Sequence, residues 1–196
     1  DYTDLRLIIF SAMALIIIFT AVFAPYIVPF DPYQQDLTKS LLPPGKEHIF
    51  GTDTYGRDLF SRVIMGGRIS IFSTLALVLF ISIFGTIVGV FCGYVSGKTD
   101  AFIMRISDVF LAFPSMVFAI AVSGALGGGM INAVIALAAI SWPKYARLAR
   151  GQVLSIKSMP YIAAARLSGS STLKIILSHI LPNITGTILV TAALDM

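Results

Sequence analysis

The sequence predicts an all-α, polytopic transmembrane protein, and three observations carry that reading. The 196-residue chain is 57% hydrophobic and 12% charged, about half the charged fraction of a typical soluble domain. Its mean hydropathy is +0.88. Several apolar stretches reach the roughly 20 residues that a helix needs to cross a hydrocarbon core, and polar segments separate them.

The first span runs from about Leu7 to Val28, closed by Pro25 and Pro29. It is too long for a signal peptide and its exit lacks a small-residue cleavage site, so it reads as an anchor. Residues 29–68 hold Pro32, Pro43, Pro44, Gly45, Gly51 and Gly56, which predicts a loop with a short helix near its end. The second span is about Ile69–Val95, and a short link, Ser96–Asp100, follows it. A third span, about Ala101–Gly124, has Pro114 inside it, and Gly127-Gly128-Gly129 then makes a tight turn. The fourth covers about Met130–Ala149 and turns basic at its end. A fifth opens near Ile180 and is cut off at Met196, so the chain is expected to be a fragment of a longer protein.

Charge orients these spans. The 29–68 loop carries Lys39, Lys46, Arg57, Arg62 and Arg68 against Asp31, Asp36, Glu47, Asp53 and Asp58, a balance of zero. Residues 144–179 carry Lys144, Arg147, Arg150, Lys157, Arg166 and Lys174 with no acid. An excess of Lys and Arg marks the cytoplasmic side. The amino terminus is therefore expected inside, the 29–68 loop outside and the 150–179 loop inside, in a multi-pass protein of the cell membrane. The lipid bilayer is its solvent, and the same charges argue against nucleic acid because they form no aromatic-interleaved basic patch.

Several motifs lead nowhere. Ser96-Gly97-Lys98-Thr99 resembles the end of a phosphate-binding loop, but Cys92 stands where its first glycine belongs and an apolar span precedes it. His48 and His179 show no metal-ligand spacing, although His48 beside Glu47 on the outer side stands where a transported cation would pass. Cys92 reads as a small packing residue, and Asn183-Ile184-Thr185 as a glycosylation sequon on the wrong side of the membrane. No nucleophile–base pair, cofactor motif or metal site emerges, so the chain is not expected to be an enzyme.

Other residues point to contacts. Gly85, Gly89 and Gly93 recur at every fourth position, a stripe that lets a neighbouring membrane helix approach closely, within the chain or in a second subunit. Arg105 and Asp108, three apart, are expected to neutralise each other on one helical face. Residues 161–182 are basic and acid-free: Ala163-Ala164-Ala165-Arg166-Leu167 favours helix, Gly169 breaks it, and Thr172–Ile180 favours a second helix before Pro182 at the membrane entry. This is an elbow whose alanines admit a partner surface.

At these residues the chain resembles the membrane subunit of a binding-protein-dependent ABC importer. That family's cytoplasmic signature is Glu-Ala-Ala, three residues, Gly, nine residues, then Ile-x-Leu-Pro. Ala164, Ala165, Gly169, Leu181 and Pro182 fit it, whereas Ala163 and His179 stand in place of the Glu and the Ile. Phe50-Gly51-Thr52-Asp53 with Gly56-Arg57-Asp58, Ser61-Arg62 and Gly66–Ser70, then Arg105–Phe110, Phe113-Pro114 and Tyr145-Ala146-Arg147, resemble the dipeptide, oligopeptide and nickel permease subfamily.

The resemblance implies a type I importer transmembrane domain of six spans, of which four and part of a fifth are here. Residues 1–68 would be the first span plus its extracytoplasmic loop, and 69–196 the transmembrane type-1 domain with a coupling segment at 161–182. It further implies cytoplasmic ATP-binding subunits, a second homologous permease and an extracytoplasmic substrate-binding protein. Ala164, Ala165, Arg166, Gly169, Leu181 and Pro182 would take part in energy coupling, and the Leu194-Asp195-Met196 ending leans toward nickel. Two other classes stay open: a secondary transporter, marked by buried ionisable groups and broken helices in inverted repeats, and a non-transporting membrane scaffold.

Overall fold

A computed structural model describes residues 2–196, whose regular structure is helical apart from one isolated bridge. Among the described residues no strand forms, and a single isolated bridge joins Thr52 to Asp58. The helices are α1 (Tyr2–Ile27), α2 (Leu59–Val95), α3 (Gly97–Ala112), α4 (Ser115–Ala125), α5 (Met130–Lys157), α6 (Pro160–Leu167), α7 (Thr172–Ile175) and α8 (Leu181–Leu194), with a π-helical segment, Ile176–Ile180, between the last two. The chain divides into two compact units, Asp1–Ser73 and Thr74–Met196, the boundary falling inside α2.

In the first unit, α1 contains Pro25, which has no N–H to give the carbonyl four residues back. Arg68 fills that vacancy: its guanidinium donates to the Ala21 carbonyl at 3.3 Å and to the Val22 carbonyl at 2.8 Å. The short helix expected near the end of the loop is the start of α2, which begins at Leu59 and not near Ile69. Asp58 sets that start by accepting the Ser61 amide at 2.8 Å, the bond of a helix N-cap. At 37 residues α2 is about 55 Å long, well beyond a roughly 30 Å hydrocarbon core.

In the second unit, the expected third span is broken. Phe113 and Pro114 are extended, and α3 and α4 meet at 88°. A residue before proline is pushed out of the helical region, and that restriction makes the corner. The link before α3 shrinks to Ser96, and Gly127, Gly128 and Gly129 all have positive φ in the turn after α4. Helix α5 continues to Lys157, eight residues beyond the expected end, through Pro143.

Among the described residues, three helical stretches are long and apolar enough to cross a membrane: Leu5–Ile27, Leu59–Val95 and Thr172–Leu194. The bent α3–α4 pair makes a fourth if it is one span. Lys144, Arg147 and Arg150 hold α5 short of that composition. Pro182 does not separate a second short helix from the fifth span, because the wide π turn passes directly into α8 with Pro182 in its first turn. Asn183 Nδ2 donates to the His179 carbonyl at 2.5 Å, giving the π segment a side-chain partner.

The core of this unit gathers Val90 of α2, Tyr145, Ala149 and Val153 of α5, Ile162 of α6, and Ile175, Ile180 and Ile184 farther on. The glycine stripe of α2 lies on α5. A Cβ at Gly85 would stand 2.6 Å from the Trp142 carbonyl oxygen, one at Gly89 2.2 Å from that of Ala146, and one at Gly93 2.8 Å from the Val153 Cβ. No side chain fits in those gaps, so hydrogen at Cα is what lets the two backbones meet.

Gly89→Ala should therefore cost about 1–3 kcal/mol through overpacking, more than the roughly 1 kcal/mol that alanine gains in helix propensity. Gly124→Ala in α4, where a Cβ meets nothing within 4 Å, should melt at or above the wild-type temperature. Thermal unfolding of the detergent-purified protein tests the pair, and equal melting of both variants would refute the close contact.

Candidate functional site

The 161–182 segment forms a tied-down elbow. Pro160 opens α6, where its missing N–H costs nothing. The helix closes in a Schellman motif: the Ser170 amide donates to the Ala165 carbonyl at 3.1 Å and the Gly169 amide to that of Arg166 at 3.0 Å. Gly169 sits at φ +79°, the left-handed conformation this closure needs. Ser171 then caps α7 by accepting the Lys174 amide.

One side of the elbow is anchored and the other is open. Ile162 and Ile175 are fully buried, and Leu181 packs against the same core. Ala163, Ala164 and Arg166 are exposed, as is Pro182, while Ala165 is half-buried. Leu167 at the tip is 90% exposed although it lies outside the stretches apolar enough to cross a membrane, and Leu173, at the start of the last such stretch, is 65% exposed. Arg166 folds back so that its guanidinium carbon lies 5.5 Å from the centre of the Tyr94 ring on α2.

Three of the positive charges of α5 meet acids from elsewhere in the chain. Lys144 Nζ donates to Asp195 Oδ1 at 2.5 Å, and the Tyr145 hydroxyl donates to Asp195 Oδ2 at 2.9 Å. Arg147 pairs with Asp108 of α3. Arg150 grips Asp100 with two bonds, at 2.6 and 2.7 Å. Asp100, in the first turn of α3, also faces the positive end of that helix's dipole. The expected Arg105–Asp108 pair is therefore replaced: Asp108 takes its cation from α5, three residues' spacing being no guarantee against a tertiary competitor. Asp195, unreadable from the sequence end, lines a cleft of about 310 Å³ with Lys144, Ser115 and Ser141.

The polar loop of the first unit has its own network. His48 is buried; its Nδ1 lies 3.0 Å from Asp58 Oδ1, so the ring donates to the carboxylate. Glu47 is held by Lys39, not by His48. Arg57 donates to Asp53 at 2.8 Å, and Asp53 also caps the Tyr55 and Arg57 amides. Burial pushes the Asp58 carboxyl up, but the Ser61 and His48 bonds outweigh it and hold the group below the ordinary carboxylate range. Gly56 has φ +72°, and a Cβ there would stand 1.7 Å from the Asp36 carbonyl oxygen. The Gly-Thr-Asp and Gly-Arg-Asp residues are thus framework for this loop.

Among the described residues no group of three or more His, Cys, Asp or Glu is arranged to hold a metal ion. The Ser96–Thr99 stretch forms a turn and the first residues of α3, not a phosphate loop. His179 lies in the π segment, its ring 6.3 Å from that of Tyr161. The α3–α4 pair is bent by 88° where the sequence shows only an internal proline.

Residues 85–196 match the family described as binding-protein-dependent transport system inner membrane component. Residues 7–44 match the N-terminal TM domain of oligopeptide transport permease C. The probable D,D-dipeptide transport system permease protein of Escherichia coli (strain K12) is 41% identical over 186 residues, covering 95% of this chain and 62% of that protein. The di/tripeptide transport system permease protein of Pseudomonas aeruginosa (strain UCBPP-PA14) is 39% identical over 187 residues, covering 92% and 62%. The nickel transport system permease protein of Escherichia coli (strain K12) is 35% identical over 192 residues, covering 98% and 68%. The chain spans about three fifths of the length of the two peptide permeases.

Two outcomes follow from these ion pairs. The folded value of Asp58 lies below its ordinary one, so the unfolded chain binds more protons near pH 4; stability is present above that pH and is lost as pH falls through the lowered value. Asp58→Ala should cost roughly 2–4 kcal/mol, a lost cap plus a lost bond to a charged group, and should remove that acid limb from a pH series of melting temperatures. Asp100→Ala strands Arg150, whose side chain is 34% exposed, at a cost of about 3 kcal/mol or less. The Asp100→Ala/Arg150→Met double variant should recover part of the loss, and strict additivity in a double-mutant cycle would contradict the pairing.

Proposed function

Because the chain belongs to the family of binding-protein-dependent transport system inner membrane components, we propose that it is a permease subunit of an ATP-driven importer. It forms part of the path for peptides or nickel ions across the cytoplasmic membrane. Peptides are favoured, since the peptide relatives are the more similar in sequence and Asp195 is already engaged by Lys144 and Tyr145.

The observation that carries the reading is the elbow. The elbow's first arm, which precedes the apolar Thr172–Leu194 stretch, keeps small residues and Leu167 exposed while its other side is locked into the core by Ile162 and, beyond it, Ile175. An exposed apolar tip beside Ala163 and Ala164 suits a protein partner, and rigid anchoring lets displacement of the tip move the helices behind it. In this reading Ala164, Ala165, Arg166 and Gly169 meet a cytoplasmic ATP-binding subunit, with Leu181 and Pro182 joining the elbow to α8. Nucleotide then shifts a two-state equilibrium between outward- and inward-open forms through contacts that differ between the states.

The remaining assignments follow the charge pattern. The amino terminus is cytoplasmic and the 29–68 loop extracytoplasmic, where its cross-braced framework suits docking of a substrate-binding protein. A second homologous permease completes the pathway. The bent α3–α4 pair is a feature that secondary transporters also use, and transport that survives ATP depletion would favour that class.

Gly169 tests the coupling role. Its positive φ penalises any residue with a Cβ, yet a Cβ there meets nothing within 4 Å. Gly169→Asn, which tolerates this conformation, should keep most uptake. Gly169→Trp should insert into the membrane but abolish uptake and binding-protein-stimulated ATP hydrolysis, measured in proteoliposomes holding the full complex. Normal uptake by the Trp variant would sink the assignment.

A further inference from the structure

Tyr94 lies one residue before the end of α2, and three other elements converge on it. The Lys157 Nζ, at the end of α5, is 5.4 Å from the centre of its ring, and the Arg166 guanidinium of α6 is 5.5 Å from the same centre. Lys157 also donates to the Tyr94 carbonyl and, at 3.2 Å, to the Ser96 hydroxyl. The Tyr94 hydroxyl donates to the Thr172 hydroxyl, at 3.3 Å, at the start of α7. A cation at the C-terminal end of a helix is favourable in the helix field, and two cations on one aromatic ring share its negative quadrupole.

We propose that Tyr94 is the positioning residue that joins the coupling elbow to the α2–α5 pair. This rests on the reading of 161–182 as the coupling segment. The elbow's own covalent route to α5 is Ser158 and Met159, and its route to α8 is the π segment. Neither covalent route runs through α2. Through Arg166 and Thr172, the Tyr94 side chain supplies a direct one, from both arms of the elbow at once. The α2 residues behind it cannot shift independently, because Gly85, Gly89 and Gly93 hold α2 against the α5 backbone. A displacement of the elbow is then passed to two helices together.

The ring is the essential part and the hydroxyl an addition to it. Tyr94 is half-buried against the core, Lys157 is half-buried and Arg166 is exposed. Removing the ring leaves both cations without their shared surface, whereas removing the hydroxyl leaves them in place. Part of the Arg166 contribution to coupling is thereby assigned to holding this joint.

The test uses the complete transporter in proteoliposomes, with its ATP-binding subunits and binding protein, and reads the ratio of binding-protein-stimulated to basal ATP hydrolysis beside uptake. Tyr94→Leu should lower that ratio about tenfold and uptake in proportion, while the complex still assembles. Tyr94→Phe should keep at least half of both. A Tyr94→Leu ratio within twofold of wild type would overturn the inference, and so would Tyr94→Phe as poor as Tyr94→Leu. Should Tyr94→Leu not assemble, Lys157→Gln/Arg166→Gln strips both cations from the ring: a tenfold fall supports the joint and an unchanged ratio rejects it. If Gly169→Trp uncouples transport while Tyr94→Leu does not, Tyr94 alone is excluded. If Gly169→Trp transports normally, the coupling assignment itself fails.

Discussion

The backbone-to-backbone contact between α2 and α5 is the constraint on which the second unit depends. Three glycines one turn apart remove the side chains that would hold the helices away from each other, and α5 is thereby fixed as the helix around which the others collect. Its core-facing residues, Tyr145, Ala149 and Val153, continue into the cluster that seats Ile162 and Ile175 of the elbow. In a bilayer, where lipid is as apolar as leucine, such close packing supplies what the hydrophobic effect does not.

With α5 fixed, its charges become useful. Lys144, Arg147 and Arg150 each reach an acid on a different stretch of chain, Asp195, Asp108 and Asp100. Pairing them is the cheaper course near a membrane, where an unpaired charge is costly. The pairs also fix how α3 and the end of α8 lie along α5. The elbow is then the part of this unit that combines firm anchoring with an exposed apolar tip, a combination suited to receiving force from a partner.

Much of this was legible in the sequence, and what was not has physical reasons. The helical class, the first span, the glycine turn and the break at Gly169 follow from local patterning, because Pro and Gly act on their own neighbours. The glycine stripe announced a close contact but not its partner, since a spacing along one helix says nothing of the second. The start of α2 was placed ten residues late because polar residues there suggested loop, whereas the Asp58 cap supplies the amide acceptor that lets helix begin. The expected Arg105–Asp108 pair failed because it weighed charges by nearness in sequence, and the acids that answer α5 come from about 40 to 50 residues away. Pro114 was visible, but not that it would turn the chain by 88°. Tyr94 carried no signal at all, because its role exists only once four elements meet.

The central claim is that the outer side of the 161–169 elbow is a contact surface for an ATP-binding subunit. Crosslinking tests it most directly, because the native Cys92 is fully buried and does not compete with a thiol introduced on the elbow. In the assembled transporter, Ala164→Cys or Leu167→Cys with a short bifunctional reagent should link this chain to the ATP-binding subunit, and the yield should change when ATP is added. Absence of any such link from both positions, in a complex that still imports its substrate, would contradict the account.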